Sequence, residues 1–111
     1  MATLEIRTYR LLPGTRTDFL HVMREQAVPL LAEFGIRVVD CGASEVDEDG
    51  HEEAYLVRAF SSADERERLE EKFYSSQQWL DGPRDGIVSR IHEYHTIVLS
   101  VPDDLVETWS R

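Results

Sequence analysis

The sequence predicts an α+β domain with the βαββαβ order of ferredoxin-like folds. Three observations carry this expectation. Period-two alternation opens the chain, two strand-like runs flank an acidic turn at Asp49-Gly50, and two segments with helical spacing separate the strands. With 111 residues, 41% hydrophobic and 31% charged, the chain has the size and composition of one folded domain.

From Thr3 to Leu12, Leu4, Ile6 and Thr8 alternate with Glu5, Arg7 and Tyr9, and Pro13-Gly14 ends this first strand. Thr15 is placed to cap a helix, with Asp18 three residues on. Phe19, Met23, Leu30 and Phe34 form its apolar stripe, Pro29 predicts a kink near residue 25, and Gly35 closes the helix. Residues 36–46 read as a second strand, with Gly42 and Ala43 marking a bulge. Glu45, Asp47, Glu48, Asp49, Glu52 and Glu53 form a solvated hairpin tip without calcium-loop spacing. Residues 54–60 return as a strand that is apolar at nearly every position except Arg58.

Ser62 and Glu65 form a capping box for the second helix. Its interior is mostly charged, with Arg66 and Glu70 as an i,i+4 pair on a solvent face. After Trp79, Asp81-Gly82-Pro83 is a turn, residues 84–90 a short helix, and residues 92–101 the last strand. The domain spans residues 1–102, and residues 103–111 form a helical tail. Right-handed crossovers order the strands 4-1-3-2 in one antiparallel sheet with both helices on one face. Two helices cannot cover both faces, yet Leu56, Val57, Ala59 and Phe60, like Ile97, Val98 and Leu99, put apolar side chains on both. The missing layer is expected from a second copy, giving a homodimer.

Twelve Lys and Arg against 22 Asp and Glu give a net charge of −10, which disfavours nucleic acid and anionic membranes as partners. No apolar run reaches the ~18 residues of a membrane span. The opening Met1-Ala2-Thr3-Leu4-Glu5 lacks a signal-peptide pattern, and a single cysteine gives no disulfide framework, so a cytoplasmic location is expected.

Four histidines show no H-x-H or H-E-x-x-H spacing, so no metal ligand set is expected within one chain; no phosphate loop or dinucleotide fingerprint appears, and no cofactor is expected. His95 shares strand parity with Ile97, Leu99 and Val101 and is expected in an apolar space. There it serves either as a structural hydrogen-bond node or as a general acid or base. Tyr94 and Arg90 are its candidate catalytic partners. Tyr9, Arg10, Tyr55, Arg58 and Trp79 are the candidate ligand-binding residues, since aromatic walls with a few polar groups suit a small-molecule pocket.

Residues Glu5 to Gly14, read as E-x-R-x-Y-x-L-x-P-G, resemble the opening of NIPSNAP-family domains. Val28-Pro29-Leu30-Leu31 before Gly35-Ile36, the Phe73-Tyr74-x-Ser76-x-x-Trp79 segment and the closing strand with Pro102 extend the resemblance over about residues 3–102. It implies a dimeric α+β barrel. Relatives on that fold include cofactor-independent monooxygenases, lactone isomerases, polyketide cyclases and haem enzymes, and the NIPSNAP branch carries no settled catalytic set. Two functions follow as alternatives. One is a cofactor-independent oxygenase, isomerase or cyclase acting on an apolar or aromatic metabolite through His95. The other is a non-catalytic dimeric binding or accessory module.

Overall fold

The computed structural model describes residues 1–110. Four strands, β1 (Ala2–Leu11), β2 (Arg37–Ala43), β3 (Glu52–Phe60) and β4 (Ile91–Val101), form one antiparallel sheet in the order β2-β3-β1-β4. This is the expected 4-1-3-2 order read from the other edge. Between β1 and β2 the chain forms α1 (Arg16–Val22), a π-helical turn (Met23–Ala27) and α2 (Val28–Glu33). Pro29 lacks the N–H that would continue the α-helical ladder, and the wide turn just before it absorbs the missing bond. Gly35, at φ 79°, ends α2, and the Ile36 N–H donates back to the Leu31 carbonyl at 3.0 Å.

Two local expectations fail in the first half of the chain. The Thr15 hydroxyl caps no N–H of α1 and instead donates to the Leu12 carbonyl at 2.7 Å, closing the Pro13-Gly14 turn. The bulge in β2 falls between Val38 and Asp40 rather than at Gly42. Gly42 serves packing: a Cβ there would stand 3.1 Å from the Tyr55 hydroxyl that crosses it.

Helices α3 (Ala63–Tyr74), α4 (Gln77–Asp81) and α5 (Arg84–Val88) follow β3. Ser62 accepts from the Glu65 N–H at 3.0 Å, and the Glu65 carboxylate accepts from the Ser61 N–H. No periodicity in the sequence marks α4, which Ser76 caps by accepting from the Trp79 N–H at 3.2 Å. With α1 and α2, these helices bury Tyr9, Leu11, Phe19, Met23, Leu31, Leu56, Phe60, Phe73, Trp79 and Ile87 against one face of the sheet. That face carries the odd-numbered residues of β1. The even-numbered ones face the other way, where α6 (Asp103–Trp109) lays Val106 over Leu4, Val57 and Ala59. Beyond α6 that second face is open, with Ile97 44% and Leu99 39% exposed. Among the described residues no helix is long and apolar enough to cross a membrane.

Candidate functional site

Strand parity and helix spacing together create a cavity of about 280 Å³ between the sheet and the helices. Met23, Ala27, Leu31, Leu56, Phe73, Trp79, Ile87 and Ile91 make its apolar wall, and Tyr9, Arg7, Glu70, Tyr74 and Tyr94 its polar end. Phe73, Tyr74 and Trp79 form a mutually packed trio, with centroids 4.9 to 5.2 Å apart. The Arg7 guanidinium lies 5.1 Å from the Tyr94 ring centre and 5.9 Å from that of Tyr74.

Behind the polar end stands a buried ionic cluster. Register places Glu5 directly across from Arg58, both on the helix-covered face and both 0% exposed. Arg58 Nε and Nη2 donate to Glu5 Oε1, and Arg66 Nε donates to Glu5 Oε2 at 2.7 Å. Arg58 Nη1 also donates to the Tyr74 hydroxyl at 2.8 Å, which accepts a second bond from Arg7 Nη1 at 3.2 Å. Arg7 Nε donates to Thr96 at 3.0 Å. Glu70 stands 3.3 Å from both Arg58 Nη2 and Arg66 Nε, but its buried Oε2 accepts no hydrogen bond. The charged run of α3 is therefore not simply a solvent face, because Arg66 and Glu70 turn inward to meet charges that the sheet buries.

The two carboxyls separate in acidity. Burial and a hydrogen bond with Glu5 push Glu70 up to about 7, against the charges of Arg58 and Arg66. Burial also works to raise Glu5, but the bond from Glu70 and the charges of Arg58 and Arg7 hold it down at about 2. A proton on Glu70 gives Oε2 its missing partner, since the carboxyl then donates to Glu5. Tyr9 is raised, chiefly by burial and then by Tyr74.

The signs fix a pH dependence of stability. Glu70 binds its proton more tightly folded than unfolded, so its contribution is complete below about 4.5 and fades as pH rises through about 7. Glu5 acts oppositely, contributing above about 4.5 and losing that contribution as pH falls towards about 2. Melting temperature is expected to fall between those two Glu70 values, and Glu70→Gln to flatten the fall. A wild-type and Glu70→Gln pair melting in parallel across that range would refute the assignment.

Of the residues singled out by sequence, the cavity gathers Tyr9, Tyr94 and Trp79. His95 lies on the opposite face, opposite Thr8 and exposed, in a shallow polar groove with Arg10, Glu53 and Glu93. Its parity with Ile97 and Leu99 sets it on the open side, so it cannot reach a ligand in this cavity. Arg10 is held on that same side by Asp49 at 3.0 Å and Glu53 at 3.2 Å, which gives part of the acidic loop a structural partner. Tyr55, also there, donates to Asp40 at 3.0 Å. Arg58 does not line the cavity, because Glu5 and Tyr74 hold it behind the wall. Arg90 donates to the Gly86 carbonyl at 2.7 Å and pairs with Asp18 at 3.9 Å, closing α5 instead of meeting Tyr94.

Arg7, Glu70 and Tyr74 escape sequence reasoning. The available signal was Arg58 itself, one cation in an apolar strand that required buried counter-charge. His51 and His92 stack at 5.3 Å, but among the described residues no group of three or more His, Cys, Asp or Glu is placed to hold a metal ion.

The NIPSNAP family model matches residues 4–101. No curated protein matches the sequence. Among solved structures, a NIPSNAP family protein from Agrobacterium tumefaciens is 19% identical, with 93% of this chain and 95% of that one covered at a TM-score of 0.79. An uncharacterized NIPSNAP domain protein from Burkholderia xenovorans is 20% identical, covering 91% of this chain and 95% of its own at 0.77. SnoaB, a cofactor-independent oxygenase from Streptomyces nogalater, shares 10% identity over 92% of this chain and 94% of its own at 0.62. At these identities the structures share the fold.

Proposed function

The chain belongs to the NIPSNAP family, and from that premise we propose that its helix-covered cavity binds an apolar or aromatic metabolite and acts on it without a resident cofactor. The observation that carries this reading is the cavity's division into an apolar wall and one polar end. The apolar wall supplies affinity, while Arg7, Tyr74 and Glu70 orient the ligand and offer charge and a titratable proton for oxygenation, isomerisation or cyclisation. The fold-level likeness to a cofactor-independent oxygenase supports the same reaction class.

The open face of the sheet complements this reading. Ile97 and Leu99, with Ile6 beside them, form an apolar surface that a second copy would cover about a twofold axis, with His95 at its margin. Native mass spectrometry of freshly purified protein tests both parts. The expected mass is near twice 12.8 kDa, with a reproducible small adduct or one acquired on soaking with 2-methylnaphthalene. Ile97→Glu, which sets an unpaired charge in the interface, is expected to give the single-chain mass. A wild-type monomer would overturn the dimer, and failure to take up any aromatic probe would overturn the pocket.

A further inference from the structure

We propose that the polar end of the cavity forms anions from phenols or enols: Arg7 and Tyr74 hold the ligand oxygen as the anion, and Glu70 takes its proton. This rests on the cavity being a ligand site and deepens it by naming the ligand class.

Charge, donors and acceptor converge on that end. Arg7, Arg58 and Arg66 face Glu5 and Glu70, so three cations meet two carboxylates and one positive charge is left over. Glu5 already accepts three hydrogen bonds from Arg58 and Arg66 and lies behind the cavity wall, so it is not the base. The Tyr74 oxygen already accepts from Arg58 and Arg7, so its own O–H remains to be donated. Arg7 Nη2 stands 3.7 Å from Glu70 and 4.0 Å from Glu5, too far for a hydrogen bond to either, which leaves donor capacity towards the cavity. Glu70 lines this end too: its Oε2 is buried against Arg58 and Arg66, and its Oε1, 3.7 Å from Arg7 Nη2, is the carboxylate oxygen on the side of the cavity-lining Arg7.

A neutral phenol or enol entering this end breaks its O–H bond, the proton forms a new O–H bond on Glu70, and the ligand oxygen keeps the electron pair against Arg7 and the Tyr74 hydroxyl. The total charge of the site is unchanged. A carboxylate ligand would instead carry a full charge out of water to a place beside an ionised Glu70. The groups facing Glu70 are Glu5 and Arg7 from β1, Arg58 from β3, and Arg66 and Tyr74 from its own helix. Protonation of Glu70 therefore leaves the cations free to hold the new anion.

The test uses 2-naphthol and 2-methylnaphthalene at about pH 8, where a free phenol of this kind is neutral and Glu70 is ionised. Bound 2-naphthol is expected to show the naphtholate absorption band without release of a proton to an indicator dye. Glu70→Gln should bind the naphtholate with release of one proton per ligand. Arg7→Met should lose the naphtholate band and weaken 2-naphthol binding tenfold or more, and by more than it weakens binding of 2-methylnaphthalene. Neutral 2-naphthol in the wild-type complex overturns the proposal and leaves the pocket standing. Equal proton release by wild type and Glu70→Gln removes Glu70 from it. If neither probe binds, the pocket reading itself fails.

Discussion

Arg58→Met is expected to cost about 3–5 kcal/mol of stability, a fall in Tm of roughly 15–30 °C for a domain of this size. The substitution keeps the volume of the side chain's stem, so packing is not what is lost. Glu5 is 0% exposed and its Oε1 takes both of its hydrogen bonds from Arg58, so methionine strands a carboxylate that water cannot reach. Arg66 still serves Oε2, which keeps the loss within that range rather than above it. The Tyr74 hydroxyl loses a donor as well, so the polar end of the cavity loosens with the core. Chemical denaturation of Arg58→Met, Glu5→Leu and the double variant separates the terms. The double variant is expected to lose clearly less than the sum of the singles, because it removes the buried charge along with its partner. Additive losses would mean that the two residues act independently, contrary to their geometry.

That pair shows how much the sequence conveys. Alternation assigns Glu5 and Arg7 to the same face as Tyr9, and strand order follows from the handedness of the crossovers, so the plan of the sheet is legible in the chain. Register is another matter. Nothing local states that Glu5 lies across from Arg58, since the pairing is fixed by turn geometry and helix packing over 53 residues of separation. The inward turn of the charged helix α3 is hidden for the same reason. An i,i+4 pair such as Arg66 and Glu70 looks solvent-exposed in isolation, and only the buried charges beneath it reverse that inference. Parity correctly grouped His95 with Ile97 and Leu99. It could not say that the helices would cover the opposite face, where Tyr94 and Tyr9 stand 6.5 Å apart beside the cavity. Tyr9, Tyr94 and Trp79 were legible because aromatic residues bordering apolar segments tend to line whatever space the packing leaves. The position of Arg7, Glu70 and Tyr74 at the polar end is not legible, because it depends on contacts the three make with one another and with Arg58.

Phe73→Ala is expected to cost about 3–5 kcal/mol and to change what the cavity accepts. Phe73 is 1% exposed and meets Phe34 edge-on at 5.3 Å, Tyr74 at 4.9 Å and Trp79 at 5.2 Å. Its removal takes away one wall of the existing cavity, so the vacated volume joins the ligand space instead of becoming a sealed void. Ligands larger than 2-naphthol should gain affinity relative to 2-naphthol itself. Phe19→Ala is the control. Phe19 is 0% exposed and packs on Tyr9 at 5.0 Å without lining the cavity, so it should lose comparable stability with little change in ligand preference. Denaturation midpoints and calorimetric titration of both variants with naphthols of increasing size read the two effects separately. If the two variants shift ligand preference alike, general loosening of the core explains the change and Phe73 is no selectivity wall. If only Phe73→Ala shifts it, Phe73 sets the size of the ligand that the cavity accepts.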